Sequence, residues 1–97
     1  MISYSEARKK ALMYLQKMQE LPSDFSLTYV LLDDETITKP FGWVFFYSSK
    51  EFLETRDYSY MLVVNAPIII DKYSGELTET GTAYSIEYYI EKYIEKH

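Results

Sequence analysis

Cysteine is absent from this chain, so disulfides, thiolate metal sites and cysteine nucleophiles are all excluded. Small secreted domains often need disulfides, and their absence points to the cytosol. Histidine occurs once, as His97 at the end of the sequence, where chains usually fray; a serine–histidine–acid triad has no support. The three glycines stand apart at positions 42, 75 and 81, so there is no glycine-rich phosphate loop and no sign of a nucleotide enzyme. Long apolar runs are also missing. The longest, residues 60–65 followed by 66–70, is broken by Asn65 and Pro67 and falls short of the roughly 18 residues of a membrane span. The opening MISYSEARKK lacks the apolar centre of a secretory signal. Basic residues are outnumbered 10 to 15, giving a net charge of −5, whereas neutralising phosphates takes a basic face. These absences lead us to expect a soluble, cytoplasmic protein with no nucleic acid or membrane partner, no metal and no cofactor.

What is present reads as one folded domain over residues 1–97. Apolar residues make up 47% of the chain and charged residues 26%, a globular balance. Eleven tyrosines stand out. Tyrosine joins an apolar ring to a polar hydroxyl, so the excess either pads a small core or builds a contact surface. Charge is unevenly spread: residues 1–20 carry +2, residues 21–84 carry −6 and residues 85–97 carry −1. The acidic middle is either ordinary solubility charge or an attractor for a basic protein.

The first element is a helix. Ser3 and Glu6 have capping-box spacing, and Ala7, Ala11, Tyr14, Leu15 and Met18 make one apolar stripe that stops near Leu21-Pro22. Residues 27–33 alternate as a strand, and 36–39 could extend it up to Pro40. The run FGWVFFYSS, residues 41–49, is apolar on both faces and predicts one central strand. Residues 50–56 read as a short helical or irregular link. Residues 61–64 and 68–70 are β-like, with Pro67 suited to a strand start, bulge or edge. Residues 71–75 predict a hairpin loop closed by Gly75, residues 76–80 the return strand, and Ser85 caps a last helix. Ile86, Tyr89, Ile90, Tyr93 and Ile94 are its expected apolar face. The order α-β-β-β-β-α implies an α+β fold: a mainly antiparallel four-stranded sheet with two helices packed on one face. The other face would then need a cover, either a second copy in a homodimer or a binding partner.

Three groups of polar residues could carry function. Asp33, Asp34 and Glu35 are adjacent hard-oxygen donors, but their spacing matches no calcium loop. Glu87, Glu91 and Glu95 recur every four residues on the last helix, and such like-charge pairs destabilise a helix by about 0.2–0.5 kcal/mol each. They form either a solvated face or an acidic stripe that meets a basic partner. Asn65, polar beside Pro67, either fixes a loop or faces a ligand. Asp71 reads as a turn residue capping its own backbone.

Three segments in this order, FGWVFFYSSKEFLET (41–55), NAPIIIDKYSGEL (65–77) and GTAYSIEYYIEKY (81–93), resemble the YrhB-like family of bacterial immunity proteins, also called immunity protein 35. The resemblance covers nearly the whole chain. It implies a small α+β protein of polymorphic toxin systems that binds and neutralises a cognate toxin domain; the residues themselves offer no workable catalytic cluster, so no enzyme activity is expected. It also implies an alternative, because one branch of the family is associated with heat-stable, chaperone-like binding of unfolded clients. The motif positions carried over are Gly42, Trp43, Phe45, Phe46, Asn65, Pro67, Gly75, Gly81 and Thr82, most of them expected to serve structure. Val64 stands where the family pattern often has glycine, so the loop there is expected to differ.

Overall fold

The computed structural model describes residues 1–20, 28–58 and 66–97. The β-like stretch at 61–64, the Val64 departure and Asn65 lie outside them.

Helix α1, Tyr4–Gln19, begins where the capping box predicts: Ser3 Oγ accepts the Glu6 amide at 3.2 Å. Ala7, Ala11 and Leu15 are buried along its inner stripe, while Tyr14 and Met18 are partly covered. A short strand β1, Tyr29–Leu31, leads through a 3-10 turn, Asp33–Glu35, into β2, Ile37–Lys39. Strands β3, Gly42–Phe45, and β4, Tyr47–Ser49, run back antiparallel. Helix α2, Lys50–Thr55, follows at once, capped by Ser49 Oγ, which accepts the Phe52 amide at 3.1 Å. Strands β5, Ile68–Asp71, and β6, Leu77–Glu79, form the hairpin, and helix α3, Ile86–Lys96, ends the fold. Among the described residues no helix is long and apolar enough to cross a membrane.

The α+β class and the antiparallel four-stranded sheet follow the sequence reading. The sheet order is β2-β3-β5-β6. Two details differ. First, the helices do not share a face. Trp43, Phe45, Ile68 and Ile70 pack against Ala7 and Ala11 of α1, whereas Val44 and Ile69 pack against Ile90 and Tyr93 of α3. Register makes this coherent, since Trp43 pairs with Ile70, Val44 with Ile69 and Phe45 with Ile68, and side chains alternate across a strand. Strands apolar on both sides need cover on both sides, and α3 supplies the second. No additional copy is required for that purpose.

Second, residues 41–49 are not one strand. The run splits at Phe46, and β4 pairs with β1 in a separate two-stranded sheet. The cause lies on the neighbouring strand. Leu31 pairs with Tyr47 and Ile37 with Val44, so six steps along β1–β2 match three along β3–β4. The three surplus residues are taken up by the turn at Asp33–Glu35, which bulges outward while the Leu32 amide still reaches the Phe46 carbonyl at 2.8 Å.

Two glycines are dictated by geometry. Gly42 has φ 150°, and a Cβ there would lie 2.1 Å from the Ile70 carbonyl oxygen on β5. Gly75 has φ 73° and closes the hairpin, where its amide reaches the Asp71 carbonyl at 2.8 Å.

Candidate partner interface

The outward face of α3 gathers exposed carboxylates and tyrosines on one side of the fold. Ser85 starts the helix, its Oγ accepting the Tyr88 amide at 3.4 Å. Ile90 and Tyr93 turn inward, and the Tyr93 ring lies 4.8 Å from Phe41. The Tyr93 hydroxyl donates to Asp71 Oδ2 at 2.6 Å in the interior, while Asp71 Oδ1 accepts the amides of Tyr73 and Ser74 at 2.7 and 3.0 Å. The Tyr93 hydrogen bond, helped by those two amides, holds the Asp71 carboxyl below its ordinary range. Burial, followed by the bond to Asp71, raises the Tyr93 hydroxyl well above its own. The orientation of α3 is thereby locked to the hairpin, and the opposite side of the helix is pinned toward solvent. His97, one turn further along the same helix, stacks on Tyr93 at 4.1 Å.

The solvent side carries Glu87, Tyr88, Glu91, Ile94 and Glu95, all exposed. Ile94 was expected in the core. Ile86, Tyr89, Ile90 and Tyr93 define the inward arc, and Ile94 falls at its margin with 55% of its surface exposed. Tyr84, 62% exposed, packs on Tyr88 at 4.3 Å, and Tyr89 completes a ring cluster 5.4 Å from Tyr88. Lys92 Nζ lies 3.4 Å from Glu95 Oε2 and 5.6 Å from the Tyr88 ring centroid. Aromatic rings beside charged groups at an exposed surface are the chemistry of interface anchors.

The other acidic group is differently placed. Asp33 is held by Arg8 of α1, whose Nε and Nη2 each donate at 2.9 Å to one carboxylate oxygen. That two-pronged bond lowers the Asp33 pKa and commits both oxygens to the fold. Asp34 and Glu35 remain exposed on the rim of a surface groove of about 720 Å³, lined also by Leu31, Tyr47, Phe52, Leu53 and Arg56. The two acidic groups do not converge: Asp33 is tied to α1 and the glutamates ride on α3, on opposite sides of the sheet.

The motif residues mostly build the scaffold. Trp43 and Phe45 lie in the core beneath Tyr4, whose ring is 6.0 Å from each of theirs. Phe46 packs partly on the α3 side. The Pro67 carbonyl, just before β5, accepts both the amide and the hydroxyl of Thr80. A Cβ on Gly81 would lie 2.5 Å from the Tyr89 hydroxyl, so glycine lets the incoming chain pass that ring. Thr82 is exposed. The Tyr84–Tyr88–Tyr89 cluster escaped the sequence reading, although Tyr84 and Tyr88 stand at helical i, i+4 spacing. The Arg8–Asp33 fork joins residues 25 apart and leaves no local signal.

The chain is 40% identical over 93 residues to the uncharacterized protein YrhB of Escherichia coli (strain K12), covering 96% of this chain and 89% of that protein. No solved structure matches it. The model of the immunity protein 35 family matches residues 5–93, from the first turn of α1 to Tyr93 near the end of α3, and the chain belongs to that family.

Proposed function

We propose that this protein binds a cognate bacterial toxin domain and neutralises it by covering the surface the toxin needs, without chemistry of its own. The observation that carries this reading is the family match, which spans both helical layers and the sheet between them and so involves the whole scaffold rather than a fragment. Physical features support it. The fold presents exposed tyrosines and carboxylates on a rigidly anchored helix, and preorganised surfaces lose less entropy on binding. The net charge of −5 speeds encounter with a basic partner.

The test is co-expression with the toxin domain encoded beside its gene. Restored growth and a stable complex of the two purified proteins are the expected result. Failure of both would overturn the reading. Protection of unrelated proteins from heat aggregation, without rescue of growth, would instead favour the chaperone-like alternative.

A further inference from the structure

The outer side of α3 combines two independent properties. Its carboxylates, Glu87, Glu91 and Glu95, follow one another at successive turns. Among the described residues no basic side chain comes within 4 Å of Glu87 or Glu91, and only Glu95 is paired, with Lys92. The like charges therefore repel along the helix with little internal relief. Alongside them stand apolar groups that a solvated helix face does not need: the tilted, contacting rings of Tyr84 and Tyr88 on one flank and Ile94 on the other.

One cation already sits here. The Lys92 ammonium is held between the Tyr88 ring and the Glu95 carboxylate, at 5.6 and 3.4 Å. These contacts are local to the helix, and they place a cation between a tyrosine ring and a glutamate on this side. Glu91, three residues after Tyr88 and so on the same side of the helix, offers an equivalent carboxylate with no cation. A guanidinium suits it best, because its flat face stacks on an aromatic ring while its fork meets a carboxylate. The groove beside Asp34 and Glu35 is a weaker match, since Arg56 lines it and Arg8 has already neutralised Asp33.

We propose, resting on the reading that the protein neutralises a toxin, that this side of α3 is the docking surface. Its occupant is an arginine- or lysine-bearing segment of the toxin domain. Glu87 and Glu91 receive the cations, and Tyr84, Tyr88 and Ile94 bury the apolar stems of the same segment.

The test measures binding of the full chain to the toxin domain encoded beside its gene, by surface-attached kinetics at low and high salt. Glu91→Lys is expected to weaken the complex about tenfold or more, chiefly by slowing association, and to flatten the salt dependence. Tyr88→Ala is expected to weaken it about tenfold by faster dissociation. Glu20→Lys, the same charge change at the end of α1, should leave affinity within about threefold. Circular dichroism checks that each variant is folded, and Glu91→Gln, which keeps the side-chain shape, should show a smaller loss of the same sign. If wild type binds and protects while Glu91→Lys and Tyr88→Ala bind as wild type does, the docking surface is wrong and the immunity reading stands. If wild type neither binds nor protects, the immunity reading fails and the docking surface falls with it.

Discussion

The hydroxyl of Tyr93 and the carboxylate of Asp71, 22 residues apart, meet at 2.6 Å inside the protein and fasten the last helix to the tip of the hairpin. Removing that hydroxyl in Tyr93→Phe leaves the carboxylate buried with only its two backbone donors. The expected cost is about 1–3 kcal/mol, read from urea unfolding.

The same pair sets a pH dependence. Asp71 has a folded pKa below its ordinary value of 3.8, so the unfolded chain takes up its proton first. Its contribution is fully present above the unfolded value and is lost as pH falls through the depressed folded value. Asp71→Asn should lower stability near neutral pH and flatten the loss of stability of the wild type in acid. Thermal melts between pH 7 and pH 2 check both.

The Arg8–Asp33 fork should matter less. Its side chains are 39% and 47% exposed, so water and salt screen it despite good geometry. A double-mutant cycle with Arg8→Ala and Asp33→Ala is expected to give a coupling below about 1 kcal/mol that shrinks in high salt.

Glycine replacement should separate two kinds of constraint. Gly42→Ala meets both an unfavourable φ and a backbone oxygen that cannot move away, and a loss of about 3 kcal/mol or more is expected. Gly75→Ala meets only the unfavourable φ and the movable end of Lys10, and about 1–2 kcal/mol is expected. Chemical denaturation of the two variants side by side gives the comparison.

Burial of the sheet from both sides is open to direct measurement. Ile69 faces α3 and Ile70 faces α1, and both are fully covered. Ile69→Ala and Ile70→Ala should each cost about 2–5 kcal/mol. A sheet bare on one side would leave one of the two nearly neutral.

Much of this fold was legible along the chain because its signals are local. Ser3, Ser49 and Ser85 each cap a helix, and two of those starts were predicted from the serine itself. Asp71 and Gly75 close the hairpin as their chemistry requires. Distribution of helices between faces was not legible. The alternation of Trp43, Val44 and Phe45 reveals that both faces are apolar, yet it carries no information on which helix covers which. The break at Phe46 was hidden for a different reason: it is matched by three surplus residues in the turn between β1 and β2. At the candidate interface, the spacing of Glu87, Glu91 and Glu95 was visible, whereas the exposure of Ile94 depends on how Tyr93 seats the helix against the hairpin.

The outward turn at Asp33–Glu35 has one more effect. Among the described residues the outer strands of the main sheet, β2 and β6, offer three residues each, and the turn stops β2 from merging with β1 into a longer border. A foreign strand approaching that border finds a short ledge ending in acidic side chains. Strand-by-strand pairing between molecules favours a longer, flatter rail, and the turn shortens the one this edge offers.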